Sequence, residues 1–397
     1  MPKYLSPFDP HVHLRGNEYP NQDFIGLAFR DARVVGLLGM AEMPNPVPQL
    51  TSSGVVARRV VDLLGRSDES GVYHFVNVGL TNSEEQVIEA VRLAENDRSV
   101  MALKIFFTHS TGNMGVLDKG VQKRVWEVLA ERGFKGVVMG HYEDEEEYSG
   151  EFVPGVPQTH SRRQHERAEV GQVIRQVGFA RDAGFEGTMY IAHVSSPDTV
   201  DYVLSVRDGL PFKVVLEATF HHLLLCWGAY PTSGNLVKMN PPLRCRSSMV
   251  RLQDHLLAGN IDVIGTDHAP HPIEKKQGDN PFSGIPALPF WPRFIGWLRE
   301  RGVSEGRIAD LTVFNALRVF GLGFLVSEVR FVECEYDPGL WDAYGWNPFE
   351  WFESCGGGLS GEEMAQVASS ALGSTDRGEN GLYGKAVSGF DEKYSKS

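Results

Sequence analysis

In the segment Asp9-Pro10-His11-Val12-His13-Leu14-Arg15, two imidazoles and a guanidinium recur at every second position of an apolar, strand-like stretch. Side chains alternate between the faces of a strand, so His11, His13 and Arg15 point the same way. Two neutral imidazoles on one face are half of a divalent metal site, and an arginine one step further is a fork that matches a carboxylate. The chemistry expected is metal-dependent hydrolysis of an acidic substrate, with the remaining ligands supplied from elsewhere in the chain.

The elements that must supply them follow a regular pattern. Short β-branched or apolar runs alternate with amphipathic stretches almost to residue 321. Eight strands are predicted: Phe8–Leu14, Val34–Met43, Tyr73–Leu80, Val100–Phe107, Gly136–His141, Thr188–Val194, Lys213–Thr219 and Ile261–Asp267. Helices are predicted over Val55–Leu64, Glu84–Glu95, Val121–Arg132, Ala168–Ala183, Thr199–Arg207 and Met249–Ala258. A Ser83…Gln86 capping box opens the second of these, and Ser196-Pro197 precedes the fifth. Alternating β and α implies a parallel sheet, and eight units imply a closed α/β barrel of the (β/α)8 or TIM type. Active sites of such barrels form where strands end. His11 and His13 close the first predicted strand, Asn45 follows the second, Lys104 lies in the fourth, and His141, His193 and Asp267 end the fifth, sixth and eighth.

Four histidines and one aspartate suffice to ligate two zinc-like ions, which then need a bridge. Lys104 lies in Ala102-Leu103-Lys104-Ile105-Phe106-Phe107, where an ammonium is costly unless paired and desolvation favours the neutral amine. A neutral amine can add carbon dioxide to become a carbamate, an anionic group with two oxygens able to span two metals. Ions so placed lie about 3.5–4 Å apart and share a water whose pKa falls towards neutrality, which makes it a nucleophile.

The bulk composition narrows the alternatives. The chain has 397 residues, with Lys plus Arg 38 against Asp plus Glu 51 and a formal charge of −13, which opposes nucleic acid or anionic lipid as a partner. Four cysteines without C-x-x-C spacing indicate neither a thiolate metal site nor a disulfide framework, and no signal segment or membrane-length apolar run is evident. A soluble, cytoplasmic protein is expected. The run Glu143-Asp144-Glu145-Glu146-Glu147 reads as a solvated loop. From about Ser369 the composition turns to Gly, Ser, Asp and Lys and reads as a flexible tail.

Together, Asp9 to Arg15, Met43-Pro44-Asn45, Ala192-His193-Val194-Ser195-Ser196, Asn240-Pro241-Pro242-Leu243-Arg244 and Gly265-Thr266-Asp267-His268-Ala269-Pro270-His271 resemble the dihydroorotases of the amidohydrolase superfamily. The likeness covers most of residues 5–325 and extends to His141-Tyr142-Glu143-Asp144, Thr219-Phe220-His221-His222-Leu223 and Phe314-Asn315-Ala316. It implies reversible ring closure of N-carbamoyl-L-aspartate to L-dihydroorotate in pyrimidine synthesis. It further implies two divalent ions, most simply zinc, with His11, His13 and Asp267 on one, His141 and His193 on the other, and carboxylated Lys104 between them. Asp267 would also carry the proton. Arg15, Asn45 and His271 resemble the family's grip on the substrate carboxylate, and Asn240 and the backbone near Ser283 would hold the ring. His268 and the pair His221-His222 match family positions without a ligand role and read as structural. His74, His109, His160, His165 and His255 receive no assignment.

Only Met1 to Phe8 precede the first motif, so little or no accompanying β-sandwich is expected. The expected organisation is a barrel over residues 1–325, a closing segment over 326–368 and a flexible tail over 369–397. A small-molecule substrate is the partner implied, and a homodimer is compatible with the sequence. The rival readings are another cyclic amidase, of the allantoinase or dihydropyrimidinase type, and a catalytically silent scaffold. Arg15 with Asn45 and His271 speaks against the first, and retention of every ligand against the second.

Overall fold

The structure is a computed structural model that describes residues 3–13, 34–40, 50–58, 71–109 and 114–355. Arg15, Asn45 and the segment from Ser369 lie outside the described residues. Packing divides the chain into a unit over Met1–Trp351 and a second over Phe352–Ser397. The first holds the barrel. Of the second, residues 352–355 are described, and they include the end of the short helix Glu350–Ser354.

All eight expected strands are present. They are β2 (Phe8–Val12), β3 (Gly36–Gly39), β4 (Tyr73–Gly79), β5 (Val100–Phe106), β6 (Val137–His141), β7 (Thr188–Ile191), β8 (Lys213–Thr219) and β9 (Val263–Gly265), following a short N-terminal β1 (Lys3–Leu5). They pair in chain order, each parallel to the one before. β2 and β6 are buried throughout, as strands are when side chains fill the barrel inside and helices cover it outside.

The ring closes at His268, whose carbonyl accepts the His13 N–H at 2.8 Å beside a bridge to Val12. Asp9 fastens that seam. Its carboxylate accepts Thr266 Oγ1 at 2.6 Å, Thr266 N at 3.1 Å, His11 N at 3.2 Å and Trp291 Nε1 at 3.3 Å. Burial pushes the Asp9 carboxyl up to about 7, against the downward pull of the Thr266 hydrogen bonds.

The helices begin where the sequence signals them. Ser83 caps helix Glu84–Asn96 by accepting Gln86 N at 3.3 Å. The other half of the expected box differs. Gln86 Oε1 accepts Thr81 N at 2.9 Å, and its amide donates to Gly79 O at 2.7 Å and Thr51 O at 3.0 Å, which ties down the loop after β4. Helix Pro197–Val206 starts with Ser196 as its cap and proline in the first turn.

Inward-facing residues recur at every second position and form layers. In the lowest, Phe8, Phe75, Ala102, Val137, Val215 and Val263 join Val313, Ala316, Leu317 and Phe320 in one apolar cluster. Two steps up the strands stand Asn77, Lys104, Met139, Glu217 and Gly265, and beyond them His141 and Asp267. Gly265 leaves needed space, since a Cβ there would lie 2.9 Å from the Glu217 carboxyl carbon and 3.1 Å from His11 Cβ.

Below the barrel, β1 pairs antiparallel with β10 (Phe331–Glu333), Lys3 opposite Glu333 and Leu5 opposite Phe331. Among the described residues this two-stranded ribbon is the one sheet besides the barrel. Residues 336–349 belong to the barrel unit: Phe349 stacks on Phe290 at 4.0 Å, and Tyr336 meets Phe290 edge-on at 5.5 Å.

Candidate metal centre and active site

At the C-terminal ends of the strands, His11 Nε2 lies 3.2 Å and His13 Nε2 3.1 Å from the same atom, Asp267 Oδ1. All three side chains are buried, and their ligand atoms lie within 4.8 Å of one another. Ligands around a tetrahedral zinc at ~2.0–2.1 Å stand about 3.3 Å apart, which the two imidazole–carboxylate separations match. Glu217 completes the arrangement. Its Oε1 accepts His11 Nδ1 at 2.8 Å, which places the ring proton on that nitrogen and turns the Nε2 lone pair towards Asp267.

His13, His11, His193 and His141 form a row, with ring centroids 5.6, 5.2 and 4.6 Å apart in succession. His141 is oriented like His11, with Nε2 2.8 Å from Glu143 Oε2, so its Nδ1 is the ligand atom that remains. His193 N donates to Glu217 Oε1 at 2.9 Å, so one carboxylate positions parts of two candidate ligands. Burial drives the His193 ring well below its usual range, helped by His141, His11 and Lys104. Burial alone would raise Asp267, but His11, His13 and His193 hold its carboxyl well below the usual carboxylate range. Lys104 is fully buried, with Nζ 5.0 Å from the Phe106 ring centroid, and close enough to bear on His193. Burial of the His193 ring and of the Lys104 side chain disfavours their charged forms, the direction that metal ligation and carbamate formation require.

Among the described residues, the non-glycine positions with left-handed backbone are His193 at φ 40° and Asp267 at φ 46°. The predicted strands ran through both. The chain instead leaves the sheet at Ile191 and Gly265 and turns sharply to present each side chain inward. Conformations of this kind persist where surrounding structure holds them, and here Glu217 and the His268 seam do so.

The expected substrate residues Asn240, His271 and Ser283 are neighbours. His271 Nε2 donates to Ser283 O at 2.9 Å, while Asn240 Oδ1 accepts Ser283 Oγ at 3.3 Å and His160 Nε2 at 2.9 Å. Lys238 Nζ donates to Ser283 Oγ at 2.7 Å, and burial, then Arg163, pull its ammonium down to about 8. His222 bonds Thr219 Oγ1 at 2.8 Å and Pro241 O at 2.9 Å, and His268 Nδ1 accepts the N–H groups of Ala287 and Leu288 at 3.1 Å each. Those contacts tie His222 to the loop at Pro241 and His268 to the start of the Leu288–Phe290 turn.

No family model matches the chain. A curated dihydroorotase of Halobacterium salinarum is 30% identical over 319 residues, which cover 79% of this chain and 71% of that protein. The chain belongs to the dihydroorotase family. A dihydroorotase of Archaeoglobus fulgidus is 27% identical over 363 residues, covering 87% of this chain and 82% of the relative. Among solved structures, the L-hydantoinase (dihydropyrimidinase) of Arthrobacter aurescens superimposes with TM-score 0.65 at 18% identity, over 81% of this chain and 72% of its own. A Saccharomyces cerevisiae dihydroorotase in complex with 5-fluoroorotic acid gives TM-score 0.65 at 16% identity, over 80% and 84%. At these identities the two structures speak to the fold, and both agree with the barrel.

For a dihydroorotase-family chain, the residues missed by sequence reasoning are the carboxylates behind the ligands. The acidic run is not the solvated loop expected of it, because Glu143 is fully buried against His141 and Asp144 is buried against Arg175. Of the rest of the run, Glu146 is exposed and Glu145 and Glu147 are half-buried. Glu217 interrupts the buried strand Lys213–Thr219, and the reasoning applied to Lys104 would have singled it out. No helix among the described residues is long and apolar enough to cross a membrane, and no disulfide joins any of the four cysteines.

Proposed function

We propose that this chain is a metal-dependent dihydroorotase, closing N-carbamoyl-L-aspartate to L-dihydroorotate with loss of water, and the reverse, in pyrimidine synthesis. The observation that carries the reading is the convergence of His11 Nε2, His13 Nε2 and Asp267 Oδ1 at the barrel mouth of a dihydroorotase-family chain. Two divalent ions, zinc by the ligand types, would supply Lewis acidity and a water ionised near neutral pH. His11, His13 and Asp267 would hold one, His141 and His193 the other, and Lys104, carboxylated by carbon dioxide, would join them.

The chain's own residues do the rest. In hydrolysis Asp267 takes the proton of the attacking water and delivers it to the ring nitrogen as the C–N bond breaks. In ring closure it takes the proton from the ureido nitrogen and returns it to the departing oxygen. Arg15, Asn45 and His271 hold the carboxylate that survives ring closure, while Asn240 and the Ser283 backbone flank the ring. Cysteines outside disulfides and a cytoplasmic location suit this assignment.

The test is turnover of dihydroorotate, hydantoin and dihydrouracil by the purified chain, with bound metal measured alongside. Dihydroorotate should be strongly preferred. Arg15→Met should lower kcat/KM for it at least about tenfold with metal content intact, since a charge-assisted pair contributes ~1.5–3 kcal/mol. Equal turnover of dihydrouracil, or an unchanged Arg15→Met, would favour a cyclic amidase for neutral substrates.

A further inference from the structure

Behind the row of histidines lies a buried charge cluster to which neither the fold nor the proposed chemistry assigns a part. Arg244 is 4% exposed, Glu143 fully buried and Glu169 2% exposed. Arg244 Nη2 stands 3.7 Å from Glu143 Oε1 and 3.7 Å from Glu169 Oε2, so one guanidinium nitrogen lies between two carboxylates. Its Nε donates to Ser195 Oγ at 2.9 Å, and its Nη1 donates to Gln164 O.

Each carboxylate leads to a different candidate ligand. Glu143 Oε2 holds His141 Nε2 at 2.8 Å. Glu169 accepts Ser195 N at 3.1 Å, Ser196 N at 3.1 Å, Thr199 Oγ1 at 2.8 Å and Ser195 Oγ, and so grips the loop two residues beyond His193. His141 ends β6, whereas His193 lies two residues beyond the end of β7. Arg244 is the group common to both supports.

We propose that Arg244 is a positioning residue that fixes the separation of His141 and His193, and thereby sets the affinity of the second metal position. The inference rests on the proposed ligand assignment. Stability alone is a poor reason for the cluster, because a buried Glu–Arg–Glu triad can often be replaced by apolar side chains without loss. Arginine suits the task by its shape. Its rigid fork engages Ser195, Gln164 and both carboxylates at once, whereas a lysine ammonium is a point charge on a flexible stem.

The experiment is zinc binding to the full-length chain, stripped of metal and reloaded with bicarbonate in zinc buffers, with stoichiometry read by elemental analysis. Wild type should bind two ions with resolved affinities, and His141→Ala one. Failure of either result overturns the ligand assignment and this inference with it. Given both, Arg244→Met should weaken the second ion by about tenfold or more and leave the first within about twofold, the size expected when a ligand's orienting partner is lost. Adding Glu143→Gln to Arg244→Met should produce less than the product of the single effects, since both act through His141. Should Arg244→Met fail to fold, Arg244→Lys should show the same selective loss with smaller size. Two ions bound with wild-type affinities by a folded Arg244→Met, or by Arg244→Lys in its place, would overturn the proposal, as would equal weakening of both.

Discussion

The floor and the mouth of the barrel are built from the same strands, two or four residues apart, and differ in almost every other respect. On β6 the inward face runs Val137, Met139, His141, and from β9 it runs Val263, Gly265, Asp267. The floor is closed by Phe320, whose ring lies 6.4 Å from Phe8 and 5.6 Å from Tyr190 within a buried apolar cluster. The mouth gathers His11, His13, Lys104, His141, His193, Glu217 and Asp267, all buried. Burying titratable groups opposes folding, so the apolar floor must supply stability that the mouth does not. Division of labour along one strand, and not between domains, is what this molecule illustrates.

The comparison breaks most visibly at Asp267. Asp267→Asn keeps size and one of the candidate ligand oxygens but removes the proposed proton acceptor, and should lower kcat by about 10²–10⁴-fold in both directions. Bound metal and melting temperature should stay near wild type. Near-normal kcat with metal retained would remove Asp267 as the proton carrier.

A floor substitution should do the opposite. Phe320→Ala empties space between Phe8 and Tyr190 and should cost about 3–5 kcal/mol in denaturant unfolding, with kcat of the folded fraction within about twofold of wild type. A large change in kcat would mean that the two layers are mechanically coupled.

Glu217 sits between the layers. Its carboxylate accepts His11 Nδ1, His193 N and Tyr190 OH, the last at 2.8 Å, and a neutral amide can accept on one atom only. Glu217→Gln should therefore weaken metal binding by about 10–100-fold, measured by competition with a chelator. Unchanged affinity would show that packing alone orients His11.

The smallest effect concerns pH. Burial, then Lys238, pull His160 from 6.5 down to about 3, and its Nε2 donates to Met239 O and Asn240 Oδ1. The unfolded chain binds a proton that the folded chain refuses between those values, so stability falls as pH drops from about 6.5 towards 3. His160→Gln removes that contribution and should lessen the loss between pH 7 and pH 5 by about 2 kcal/mol, as read from urea unfolding at both pH values. Parallel acid limbs in the two proteins would place the titration elsewhere.

Much of this was legible in the chain itself. Short apolar or β-branched runs marked all eight strands, and Ser83 and Ser196-Pro197 marked helix starts, because those signals act over a few residues. The ligand types at strand ends were equally visible. Local patterns did not show which carboxylate stands behind which histidine, since Glu217 is 206 residues from His11. They also extended the strands through His193 and Asp267, because apolar and β-branched neighbours do not reveal a left-handed turn that distant contacts impose. Glu143 was hidden by its company, two buried acids heading a run whose other members face water.

The seam at Asp9 has a consequence for how the protein is made. Asp9 and its partner Thr266 are 257 residues apart, and at ribosomal speeds of about 5–20 residues per second the wait between them is roughly 15–50 s. Throughout that interval β2 has β3 on one side and an open edge on the other, the kind of edge that recruits stray strands. His11 and His13, made long before Thr266, are thus among the last residues to reach their final places, and a nascent chain halted before Thr266 would carry half of the candidate metal site on an unguarded strand.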